Sequence, residues 1–136
     1  MNMNTITKPA KKRILVVDDR ASDSQLVKLY LERSGTYVVR EENNATAALA
    51  AAVEFQPQLV LLDVMMPGLD GGELAARFQA TPNLATVPIV FLTALVTKSE
   101  VAAGHGRIGK FPFLAKPIVL SELTACVEQH LPAGSP

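Results

Sequence analysis

The chain has one cysteine, no net charge and no long apolar run, and each shortage removes a class of protein. Cys126 alone excludes an internal disulfide and a zinc site built from cysteines. A reducing cytoplasm is therefore the expected setting. Lys plus Arg number 13 and Asp plus Glu number 13, so no long-range field draws the chain to nucleic acid or to an anionic membrane surface. Binding is expected from local groupings of residues. No stretch approaches the roughly 18 apolar residues that span a bilayer, and the opening MNMNTITKPAKK lacks the apolar segment of a signal peptide. A soluble protein with no membrane insertion is expected. No internal repeat or low-complexity segment is visible.

What is present is enough to build a full core. With 136 residues, 49% of them hydrophobic, the chain fits one domain, and a domain of this size buries roughly two-thirds of its unfolded surface. Five short apolar runs stand out: RILVV (13–17), YVV (37–39), QLVLL (58–62), VPIVFL (87–92) and FPFLA (111–115). All are rich in β-branched or aromatic residues, as strands covered on both faces are. Between the first two, Ser22 or Ser24 can cap a helix with a core-facing stripe of Leu26, Leu29, Tyr30 and Leu31, and Gly35 fits its stop. Asn43 or Asn44 opens the next helix, which ends near Phe55 before Pro57. Pro67, Gly68, Gly71 and Gly72 mark a loop leading to a helix over 73–79. Thr97 and Glu100 have capping-box spacing for a short helix, and Ser121 sits near the start of a last helix with Leu123, Cys126, Val127 and Leu131 inward.

Strand and helix alternate five times, which predicts an α/β, doubly wound parallel sheet of five strands with five helices on its two faces. Residues 1–12 and 132–136 read as flexible tails around a domain over 13–131. No second domain is expected to follow, so any output is expected to pass through a separate molecule.

Three of the runs deliver reactive side chains at their C-terminal ends: Asp18 and Asp19 after ILVV, Asp63 after LVLL, and Lys116 after FPFLA; a fourth ends at Thr93. In open α/β sheets the crevice beyond those strand ends binds ligands. Two carboxylates about 4 Å apart repel by roughly 4 kcal/mol at an effective dielectric near 20, so the cluster calls for a cation or a proton. All-oxygen ligands favour Mg²⁺, with Mn²⁺ as a substitute. Three carboxylates, a hydroxyl and an ammonium in this order point to a divalent-metal site that takes a phosphoryl group onto an aspartate.

With ILVVDD, LVLLDVMMPGLDG, FLTA and FLAKP in order, the chain resembles the receiver (response-regulator, CheY-like) domain of two-component phosphorelay signalling over about residues 13–131. The resemblance implies a flavodoxin-like fold with strand order 2-1-3-4-5. It implies that Asp63 accepts a phosphoryl group from a sensor histidine kinase or histidine phosphotransfer protein. Asp19 would ligate Mg²⁺ directly, Asp18 through water, and the backbone carbonyl of Met65 would complete the protein ligands. Lys116 and Thr93 would contact the phosphoryl oxygens, and Phe113 stands at the family's aromatic switch position. Lys116-Pro117 matches the family's cis peptide, which would aim the ammonium. Met65 and Leu95 occupy two positions that influence hydrolysis in the family; both are apolar, which implies a long-lived phosphoryl state. A single-domain response regulator of the bacterial cytoplasm is implied, signalling to a downstream protein target through a changed face and turning over no separate substrate.

Competing readings are weaker. The string GHGRIGK (104–110) has the glycine and lysine spacing of a nucleotide-binding loop, but Phe111 replaces the metal-holding hydroxyl and a strand follows instead of a helix. His105 and His130 have no ligand partner at metal spacing and read as surface residues, and Cys126 reads as inert packing. A haloacid-dehalogenase-like phosphatase would place its nucleophile in an Asp-x-Asp arrangement after the first strand, where this chain has Asp18-Asp19-Arg20. A receiver-shaped scaffold that is never phosphorylated would not need the complete set.

Overall fold

The five apolar runs become five strands: β1 (Lys12–Val17), β2 (Tyr37–Glu42), β3 (Leu59–Asp63), β4 (Ile89–Thr93) and β5 (Phe111–Ala115). The computed structural model describes residues 10–66, 69–94, 107–108 and 111–131. The strands run parallel in the order 2-1-3-4-5, and a two-residue antiparallel strand, Arg107–Ile108, extends the β5 edge. Four helices lie among the described residues: α1 (Ala21–Glu32), α2 (Ala48–Phe55), α3 (Gly71–Gln79) and α4 (Leu120–His130). The helix expected from Thr97 and Glu100 falls in 95–106, outside the described residues.

Alternation along each strand divides the core in two. Leu15, Val17, Val60, Leu62, Ile89 and Phe91 pack with Ala48 and Ala52 of α2 and with Leu74 and Phe78 of α3. Ile14, Val16, Leu59, Leu61, Val90 and Leu92 point the other way, onto Val27 and Leu31 of α1 and Leu123 and Val127 of α4. A strand with both faces covered has no solvent side, which is why these runs are apolar without interruption. Each such leucine, fully buried, contributes about 1.5–3 kcal/mol.

Several local expectations are corrected. Neither Ser22 nor Ser24 caps α1: the helix starts one residue after Arg20 with no side-chain cap, and Ser24 lies fully buried inside it. Leu29 is 60% exposed; the inward face is Ser24, Val27 and Leu31, with Leu26 and Tyr30 partly buried. Asn44, not Asn43, caps the turn before α2, its side-chain oxygen accepting from the Thr46 N–H at 3.0 Å. Gln56, with φ at 54°, closes α2 in the left-handed region ahead of Pro57. Gly35 takes φ of 78° after α1, as a helix-terminating glycine does.

The start of α3 is two residues earlier than the sequence suggested, at Gly71. Its N–H donates to the Val64 carbonyl at 3.1 Å. A Cβ there would stand 2.8 Å from Val64 Cα and 2.9 Å from the Asp63 and Val64 carbonyl oxygens. Only glycine lets the helix begin this close to the backbone that leaves β3.

Candidate functional site

Parallel register sets the site. Asp18 follows β1, and its N–H donates to the Glu42 carbonyl at the end of β2 at 3.1 Å. Asp63 is the last residue of β3 and is paired with Leu92, one residue before Thr93 at the end of β4. Thr93 pairs with Ala115, and its carbonyl accepts from the Lys116 N–H at 2.8 Å. The four strand ends therefore present Asp18, Asp63, Thr93 and Lys116 side by side at the carboxyl edge of the sheet. Asp18 is 0% exposed, Asp63 4% and Thr93 2%; Asp19 is exposed.

Lys116 reaches into this group. Its Nζ donates to Asp18 Oδ2 at 2.7 Å, to Asp23 Oδ2 at 2.9 Å and to Asp63 Oδ2 at 3.5 Å. Burial pulls the ammonium's pKa down, but the hydrogen bonds to Asp18 and Asp23 and the charges of Asp18 and Asp63 outweigh it, and the pKa is held above the ordinary lysine value. The Lys116-Pro117 peptide is cis.

Asp18, Asp19 and Asp63 each offer a carboxylate oxygen, and the three oxygens lie within 4.8 Å of one another. An octahedral Mg²⁺ at 2.0–2.1 Å from its ligands holds opposite oxygens about 4.2 Å apart, so the trio is close to the needed spacing. The donors are hard oxygens, and the excess negative charge is what a dication would offset. This acidic pocket is compatible with Mg²⁺.

Four residues at the site, Asp23, Ser24, Glu41 and Asn43, were not singled out as site residues from the sequence. Asp23, on the first turn of α1, supplies one of the Lys116 hydrogen bonds. Asn43 Nδ2 donates to the Asp18 carbonyl at 2.7 Å and to Ser24 Oγ at 2.9 Å, and the Ser24 hydroxyl donates to Glu41 at 2.7 Å. This network ties the ends of β1 and β2 to α1 and fixes the backbone of Asp18. The Asp18 Oδ1 in turn accepts from the Arg20 N–H at 2.9 Å, turning the chain into α1. Nothing in local periodicity marks these residues, although the run of polar residues after β2 is unusually dense in Asn and Glu.

Other expected residues stand apart or lie outside the described part. Phe113 is half-buried on β5, paired with Phe91 and packed against the α2 and α3 side of the core. Met65 begins a two-residue strand antiparallel to Leu69–Asp70; its side chain and the whole of Leu95 lie outside the described residues, as does His105. Phe111 opens β5 directly after Lys110, so a strand follows the GHGRIGK string, as expected. Cys126 is partly buried, which pushes its thiol pKa up to about 11.

The model of the response regulator receiver domain matches residues 14–128, and the chain belongs to this family. It is 35% identical over 119 residues to the DNA-binding dual master transcriptional regulator RpaA of Synechocystis, covering 88% of this chain and 48% of that protein. Among solved structures it is similar to a putative response regulator from Chloroflexus aurantiacus, with a TM-score of 0.76 at 32% identity, covering 90% of this chain and 98% of that one. The chemotaxis response regulator CheY4 of Vibrio cholerae superposes with a TM-score of 0.75 at 25% identity, covering 90% of this chain and all of that one. The chain spans about half the length of the curated relatives it matches.

Receiver domains are two-component signalling modules rather than classical substrate-turnover enzymes, and membership of the family sets aside the phosphatase reading. Receiver domains meet histidine kinases or phosphotransfer proteins. Several of the curated relatives are named as DNA-binding regulators, so the expectation of no nucleic-acid partner is unsupported, and the neutral charge balance speaks only for this chain. Among the described residues no helix is long and apolar enough to cross a membrane.

Proposed function

We propose that this chain accepts a phosphoryl group on Asp63 from a phosphohistidine of a sensor kinase or phosphotransfer protein, and signals through the resulting change in its surface to a protein target. One observation carries this reading. Asp63 is nearly fully buried at a strand end, shares a single ammonium with Asp18, and stands in a carboxylate trio spaced for a dication.

In the transfer, an Asp63 oxygen attacks phosphorus, the new O–P bond forms as the N–P bond breaks, and the histidine leaves with the bonding electron pair. Asp18, Asp19, Asp63 and the Met65 carbonyl would hold Mg²⁺, which when bound neutralises charge on the phosphoryl oxygens. Lys116 supplies a second positive charge to the same oxygens as charge develops. Thr93, one residue past the Asp63 partner in β4, offers its hydroxyl to the phosphoryl group once formed. Phe113 is the residue that follows that hydroxyl inward. Met65 and Leu95 lack groups to orient an attacking water, which favours a long-lived phosphoryl state.

The test is to mix the protein with Mg²⁺ and either acetyl phosphate or phosphoramidate and measure intact mass beside Asp63→Asn. A gain of one phosphoryl group in the parent alone is expected. No gain in the parent, or an equal gain in Asp63→Asn, would overturn the assignment and leave an unphosphorylated scaffold as the better reading.

A further inference from the structure

Lys116 is not held most closely by the proposed acceptor. Its Nζ lies 2.7 Å from Asp18 and 2.9 Å from Asp23 but 3.5 Å from Asp63. Asp18 is part of the carboxylate trio, whereas Asp23 is outside it, on the first turn of α1. The Asp23 side chain is 31% exposed, and among the described residues its one other cationic neighbour is the exposed Arg20 at 3.8 Å. Its main partner is therefore the lysine.

From this geometry we infer that Asp23 is a positioning residue: it draws the Lys116 ammonium toward α1 and away from Asp63, restraining phosphorylation until the lysine swings to the phosphoryl oxygens. The inference rests on the proposed phosphorylation of Asp63. Two effects of the Asp23 carboxylate act in the same direction. It competes with Asp63 for the ammonium, and it adds a negative charge beside the path of an anionic donor. Asp23 also favours the metal, because its carboxylate holds the ammonium off Asp63 and adds negative charge beside the trio. An acid on the first turn of a helix is also favourable for the helix itself, and that purely structural role is the rival account.

The experiment compares the parent, Asp23→Asn and Asp23→Glu, each also in a Lys116→Met background. Phosphorylation by phosphoramidate is followed by intact mass at saturating Mg²⁺, and Mg²⁺ binding alone is followed by calorimetry. Asp23→Asn is expected to phosphorylate faster and to bind Mg²⁺ more weakly, each by roughly threefold to tenfold, within the range of a single pairwise coupling. Asp23→Glu, which keeps the charge, should stay near the parent. With Lys116→Met, the rate effect of Asp23→Asn should shrink to what the lost charge alone contributes, since there is no ammonium left to release. A parent that phosphorylates while Asp23→Asn matches it in rate and in Mg²⁺ affinity overturns this inference alone. So does a rate effect that persists undiminished without Lys116. A parent that gains no phosphoryl group overturns the proposed function itself.

Discussion

Replacing Asp63 by asparagine should stabilise the metal-free protein, because the proposed acceptor's charge meets more repulsion than attraction from Asp18, Asp19 and Lys116. Asp63 faces the carboxylates of Asp18 and Asp19 within 4.8 Å and the Lys116 ammonium at 3.5 Å. At an effective dielectric near 20, each repulsion costs about 3.5 kcal/mol and the attraction offsets about 4.7 kcal/mol, leaving roughly 2 kcal/mol unfavourable. Solvent screening around the exposed Asp19 trims the balance to about 1–2 kcal/mol. Asparagine has nearly the same shape and still accepts a hydrogen bond from Lys116, so little packing is lost. Thermal unfolding in a chelator should place the Asp63→Asn midpoint roughly 3 to 8 °C above the parent. Adding Mg²⁺ should then reverse part of the difference: at tenfold excess over its dissociation constant the ion adds about 1.4 kcal/mol to the parent, and much less to a variant missing one of its ligands. If Asp63→Asn melts below the parent in chelator, or Mg²⁺ stabilises both alike, the three carboxylates do not form the frustrated cluster described above.

Gly71→Ala should destabilise the domain by about 1–3 kcal/mol in urea titrations, because its Cβ would meet the Val64 and Asp63 backbone at 2.8–2.9 Å; a neutral result would mean that α3 can start further from β3. The Lys116 ion pairs raise the folded pKa of the ammonium, so their stabilisation is complete below the unfolded value of about 10.4 and is lost as pH climbs through the higher folded value. Tyr37, raised by burial and by the charge of Glu128, loses its contribution in the same alkaline window. Because Tyr37 is common to both proteins, the parent should lose stability more steeply than Lys116→Met above about pH 10 in denaturant midpoints, and parallel curves would refute the pairing. On α1, Leu29→Lys should change stability by less than about 0.5 kcal/mol, whereas Leu31→Ala should cost about 2–5 kcal/mol; equal effects in thermal melts would contradict the helix orientation.

How much could be read in advance follows from which forces leave a local trace. Strands buried on both faces must be continuously apolar, so ILVV, LVLL and IVFL declared themselves, and a reactive residue at the end of such a run has its position set by the sheet. Asp18, Asp63, Thr93 and Lys116 were legible for that reason. Helix faces were less so. Leu29 looked like core by composition, yet two residues along a helix are about 200° around its axis, which puts Leu29 opposite the fully buried Val27. Gly71 read as loop because glycine disfavours helix interiors, whereas what decides the matter is a neighbouring backbone that no short window contains. Asp23 was the largest omission. Its contact with Lys116 spans 93 residues of sequence, and on the first turn of a helix an aspartate has a sufficient local explanation in the helix dipole. A family motif names the groups the chemistry cannot do without. The partner that sets where the lysine rests lies outside the motif, so members sharing all five motif residues can differ in how readily their lysine reaches the phosphoryl group.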